Sequence, residues 1–183
     1  FVEKTMFMTD FLSYMDALAA LSVDLVKICG DLMLLSSGPI TGLGEISLPG
    51  VEPGSSIMPG KVNPSIPEAV TMVCFQVMGA RVAVENAAKF GVLNLNVYSP
   101  VIAYNTFTSA RWLTNAIRIL TKKCVSGIEV NQDATGYYFD YSNAVATLLN
   151  PIIGYEAAAE LAREALETGV KIRDLVIEKK MLT

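Results

Sequence analysis

No histidine occurs among the 183 residues. That absence excludes Ser-His and Cys-His nucleophile pairs and His-ligated metal chemistry from what this chain supplies by itself. Charge is scarce too: 17% of residues are charged against 52% hydrophobic, and the net charge of −4 includes no basic run. This argues against nucleic acid as a partner. The three cysteines (Cys29, Cys74 and Cys124) are odd in number, far apart and set in apolar helical context. They read as buried thiols of a reduced cytoplasm, with neither a disulfide framework nor a metal site implied. The uncharged stretch from Phe90 to Ala110 holds Asn94, Asn96, Ser99, Pro100 and Asn105, polar groups and a proline that argue against a membrane span. No signal-peptide pattern is present, because Glu3 and Lys4 follow Phe1 at once.

The surplus of apolar residues has two readings. It covers a subunit interface, or it fills an ordinary core; a chain of this length buries roughly 70% of its unfolded surface. Helical spacing runs from Phe1 to Leu35, with Phe7, Phe11, Met15, Leu18 and then Leu21, Leu25, Ile28, Leu32 at intervals of three and four. Met8, Leu12, Ala19, Val23 and Val26 widen that apolar surface, which predicts burial among several neighbours. The helix opens without an N-cap, as though entered partway, and the expectation is a piece of a longer protein.

Ser36-Ser37-Gly38-Pro39 predicts the end of this helix, with Gly38 as C-cap and Pro39 forbidding continuation. A long Gly/Pro-rich loop follows to Pro64, and loops of that length in compact chains are usually functional. Pro67 and Glu68 predict a helix starting at Ser65 and running to about Lys89. Ser99 and Pro100 then predict a cap and first-turn proline for a helix reaching about Val125. Shorter helices are expected over Asn131 to Leu149, Tyr155 to Glu167 and Val170 to Lys180, separated by Asn150-Pro151 and Thr168-Gly169. The fold class is all-α, with domains at 1–127 and 128–183.

Within the long loop, Gly54-Ser55-Ser56-Ile57-Met58-Pro59-Gly60-Lys61-Val62-Asn63-Pro64 concentrates two hydroxyls, an ammonium and an amide. Gly54 and Gly60 permit a tight fold or a lid. Ser55 and Ser56 each donate and accept hydrogen bonds, Lys61 suits a carboxylate, and Asn63 donates beside it. A small dianionic substrate fits this set. The bland reading is a surface loop whose lysine is solvated, because serine and glycine are what loops are made of.

The stretch matches the GSSxMPxKxN signature and resembles the aspartase/fumarase superfamily. Leu34-Leu35-Ser36-Ser37-Gly38-Pro39, Gly42-Leu43, Glu45-Ile46 and Leu48-Pro49 are similar to the approach seen in aspartate ammonia-lyases and class II fumarases. Leu95-Asn96-Val97 with Pro100-Val101-Ile102, Gly127 to Asn131, Leu149-Asn150-Pro151, Ile153-Gly154-Tyr155, Arg173-Asp174-Leu175 and Met181-Leu182-Thr183 follow in the same order. Pro67-Glu68 and Glu167-Thr168-Gly169 lean toward aspartate ammonia-lyase. The chain reads as the second part of such a protein.

The resemblance implies a segment of a long-helix central bundle over 1–127 and a small C-terminal helical domain over 128–183. It implies Ser55 as general base, Ser56 as donor to the carboxylate where charge develops, and Lys61 and Asn63 as ligands of the other carboxylate. Glu68 would support a histidine carried by another subunit; a first-turn helix acid is its equal alternative. The implied reaction converts L-aspartate to fumarate and ammonia without metal or cofactor, in a cytoplasmic homotetramer with composite sites and no membrane or nucleic-acid partner. This chain alone is expected to be inactive. Class II fumarase and a non-catalytic helical assembly module are the alternatives. Ile40, Arg81 and Asn94 depart from the family pattern and bear on subtype and activity.

Overall fold

The structure, a computed structural model, describes residues 2–181. Phe1 of the first predicted helix and Leu182 and Thr183 of the closing motif lie outside the described residues. The chain divides into two compact units, Phe1–Glu129 and Val130–Thr183.

Three long helices make the first unit: α2 (Thr9–Leu35), α3 (Ser65–Lys89) and α4 (Ser99–Lys123). On α3 the buried residues Val70, Cys74, Val77, Ala80 and Val84 recur every three or four positions. On α4 the set Ile102, Thr106, Ser109, Leu113, Ala116 and Leu120 does the same. Each stripe is what a 3.6-residue period presents to one neighbour. Leu25 and Cys29 of α2 join Val70, Cys74, Val77, Leu113, Ala116, Leu120 and Cys124 in one cluster. A second cluster holds Met8, Met15, Ala80, Val84 and Ile102. All three cysteines are free and buried, as their apolar context predicts. Among the described residues α3 is the one helix long and apolar enough to cross a membrane; here it packs between α2 and α4.

Helices α3 and α4 begin and end close to where the sequence places them. Several ends differ, each for a stated reason. The first predicted helix is two, α1 (Val2–Met6) and α2. The Thr5 carbonyl, which a continuous helix would offer to residue 9, instead accepts the Asn96 N–H at 3.0 Å. Gly38 is not the cap of α2. Ser36 is, and its Oγ donates to the Leu32 carbonyl at 2.7 Å. Ser99 is not an N-cap either: it is the first residue of α4, Tyr98 precedes it, and Pro100 sits in the first turn. The apolar set on α2 is only partly buried, since Phe11, Leu21 and Ile28 are exposed.

The loop between α2 and α3 carries a short strand, β1 (Ile46–Ser47), which pairs with β2 (Glu129–Val130) where the first unit ends. A single 3-10 turn, Val125–Gly127, leads into β2. Pro49 covers Gly127 so closely that a Cβ there would lie 2.6 Å from its ring.

The second unit is α5 (Gln132–Asp140), α6 (Ala144–Ile153), α7 (Tyr155–Thr168) and α8 (Ile172–Glu178). The expected single helix over 131–149 is split. Ser142 Oγ accepts the Ala144 N–H at 3.1 Å and starts a new helix. Pro151 lies inside α6 and does not end it. Gly154 ends it, at φ +83, and Gly169 caps α7 in the left-handed region. Ala146, Ala158, Leu161, Ile172, Leu175 and Val176 form this unit's core.

Candidate active site

The serine-rich loop enters α3 from Pro53 onward, and its own hydrogen bonds shape it. Gly54 N–H donates to the Lys61 carbonyl at 3.0 Å, and Lys61 N–H donates to the Met58 carbonyl at 3.3 Å. Asn63 Nδ2 donates to the Gly54 carbonyl at 2.8 Å. The loop therefore closes at its base, between 54 and 61–63, and projects its tip.

Ser55 is half-buried at that base. Its Oγ accepts the N–H groups of Ile57 and Met58, both at 3.2 Å. Two donors aimed at one hydroxyl oxygen favour negative charge on it, which is what a serine needs to act as a base. Ser56 and Lys61 are exposed, and no hydrogen bond or ion pair engages the Ser56 hydroxyl or the Lys61 ammonium among the described residues. Ile57, Met58 and Val62 are also exposed and give the tip an apolar rim. Glu68 stands in the first turn of α3 with its N–H on the Pro64 carbonyl at 3.1 Å, its side chain exposed.

Ser55, Lys61 and Asn63 are thus brought onto one closed loop base. Ser56 lies beside them on the tip, and Glu68 lies on the helix that the loop feeds. Sequence reasoning named Gly54 as a point where the loop could fold tightly, but not its two partners, the Lys61 carbonyl and the Asn63 amide. Sequence reasoning also missed an apolar groove of about 410 Å³ between α3 and α4, lined by Met72, Val73, Trp112 and Ile119 among others.

The cysteines stand apart from the loop. Burial pushes the Cys29 thiol up to about 11, with Cys74 and Cys124 nearby adding to it. Burial raises Cys74 and Cys124 as well. These are protonated core thiols with no nucleophile character. Among the described residues no group of three or more His, Cys, Asp or Glu side chains is placed to hold a metal ion.

Residues 2–79 match the family model described as lyase, and residues 145–183 match the one described as the fumarase C C-terminus. Over 182 residues the chain is 50% identical to an aspartate ammonia-lyase of Helicobacter pylori, covering 100% of this chain and 39% of that protein. The chain belongs to the aspartase/fumarase superfamily. A class II fumarate hydratase of Helicobacter pylori is 46% identical over 167 residues, 91% of this chain and 36% of its own length. The crystal structure of fumarate lyase:delta crystallin from Brucella melitensis, in native form, superposes with a TM-score of 0.91 at 46% identity, covering 98% of this chain and 40% of that one. The chain therefore spans about two-fifths of the relatives it matches, and its all-α fold is that of this superfamily.

The three departures from the superfamily pattern find structural places. Ile40 is 92% exposed in the loop after α2. Arg81 Nε donates to Asp16 at 2.6 Å and the same guanidinium pairs with Glu85, tying α3 to α2. The Asn94 carbonyl accepts the Thr5 hydroxyl at 2.9 Å. None of the three lies on the serine loop.

Proposed function

We propose that this chain is part of a lyase that eliminates ammonia from L-aspartate to give fumarate. The observation that carries the reading is Ser55, held at a closed loop base with its Oγ receiving two backbone N–H groups. In this reading Ser55, as alkoxide, removes the proton from the carbon next to the substrate's side-chain carboxylate. The electron pair of that C–H bond moves into the carboxylate as an aci-carboxylate, and Ser56 donates to its developing charge. Collapse of that intermediate forms the carbon–carbon double bond and breaks the carbon–nitrogen bond, so that the substrate's ammonium group leaves with the bonding pair as neutral ammonia. Lys61 and Asn63 hold the second carboxylate and orient the substrate. Glu68 supports a histidine that this chain does not itself contain.

The substrate would be a small dicarboxylate and the working form a homotetramer with composite sites. The apolar groove between α3 and α4 and the exposed Met72, Phe75, Tyr104 and Phe107 support burial against other subunits. This chain alone is then incomplete and inactive. Class II fumarase is the second reading, favoured by the 46% identity to a fumarate hydratase; there water is lost in place of ammonia.

The test offers L-aspartate and L-malate side by side to the complete gene product and follows fumarate. Release from aspartate alone is the expected result. Release from malate alone would replace it with the fumarase reading, and a folded assembly that releases fumarate from neither would point to the helical assembly module.

A further inference from the structure

Ser55 and Lys61 are separated along the chain, yet the backbone ties them together. Gly54 immediately precedes Ser55, and its N–H donates to the carbonyl of Lys61 at 3.0 Å. Its own carbonyl accepts Asn63 Nδ2 at 2.8 Å. Both polar groups of one residue thus close the loop. The fit leaves no room for a side chain, because a Cβ on Gly54 would lie 2.2 Å from the Lys61 oxygen and 2.7 Å from its carbonyl carbon. These are backbone atoms and cannot swing aside.

We propose that Gly54 and Asn63 form a clasp that makes the loop a single rigid carrier, so that Ser55 and Lys61 reach the substrate together. Asn63 is then a positioning residue: one of its amide hydrogens is committed to Gly54, and the other is left for a carboxylate. The physical benefit is entropic. Two groups joined through one closed ring are oriented by one ordering event, whereas an open loop must order each separately. The clasp's role in turnover rests on the lyase reading, but the clasp itself is a property of the loop.

The experiment uses the complete gene product and the variants Asn63→Ala, Gly54→Ala and the double. The first readout is the rate of native-state proteolytic cleavage within residues 56–60, which samples loop opening. Asn63→Ala is expected to raise it about fivefold, the loss of one hydrogen bond. The double variant should exceed Gly54→Ala by much less than that factor, because the added methyl already forces open the loop base that Asn63 would otherwise hold closed. Asn63→Ala is the gentle variant should Gly54→Ala distort the loop. The second readout is kinetic: both single variants should lower kcat and raise KM together, although Gly54 has no side chain with which to touch substrate. Unchanged cleavage in Asn63→Ala, with KM alone raised, would overturn the clasp and leave Asn63 as a ligand only. Effects that multiply in the double variant would overturn it as well. A gene product that releases no fumarate would defeat the lyase reading alone, since the cleavage rates still decide the clasp.

Discussion

A serine is a poor base because its alkoxide is costly near neutral pH, so in the proposed lyase reading the two N–H groups on Ser55 Oγ bear directly on its chemistry. Ser55→Ala in the complete gene product should lower kcat by about 10²- to 10⁴-fold, the range for a lost proton-transfer group, with subunit assembly unchanged on sizing. Turnover near the parent value would remove Ser55 as the base. Lys61→Met should act mainly through KM, as the loss of a carboxylate ligand does. The buried thiols give a separate pH effect. Cys29 has its folded value raised from 9.0 to about 11, so the folded state prefers the protonated thiol. The stability this represents is complete below pH 9 and is lost as pH rises from there toward 11. Denaturant titrations of the parent and Cys29→Ala should therefore converge across that window, and parallel curves would contradict the assignment.

The helices are built from stripes, and what lies on each face differs. Leu113 sits in the core cluster of α4, so Leu113→Ala should cost about 2–5 kcal/mol, measured by denaturant unfolding. Phe107 lies on the same helix and is 68% exposed. In the proposed homotetramer, Phe107→Ser should leave the monomer fold little changed while weakening subunit association, read as a shift toward smaller species in sedimentation. Strong destabilisation of the fold by this variant would show that the face is not an assembly surface. The helix ends obey local chemistry: Ser36 returns its hydroxyl to the Leu32 carbonyl, and Ser142 accepts the N–H that opens α6. Glycine and proline neighbours alone suggested other ends.

The whole molecule is two units with separate cores. The Leu25–Cys124 cluster and the Met8–Ile102 cluster belong to the first, and the Ala146–Val176 cluster belongs to the second. Leu161→Ala should therefore loosen amides of α6, α7 and α8 in hydrogen exchange while α3 and α4 keep their protection. Loss of protection throughout would mean that the units unfold as one.

Much of this was legible in the residue order. The long helices, the breaks at Pro64 and Gly169 and the serine loop all rest on signals confined to a few neighbouring positions, where apolar period, glycine and proline act directly. The superfamily match rests on ordered short motifs of the same kind. What only the tertiary structure decided are contacts between residues far apart in the chain. The Thr5 carbonyl turns to Asn96 and ends α1, and Arg81, a departure in sequence, becomes a tie to Asp16. Asn63, a ligand by motif, spends one of its hydrogens on Gly54. A residue's type announces that it needs a hydrogen-bond partner. Which partner it finds depends on the three-dimensional path of the backbone between them, and no local pattern encodes that.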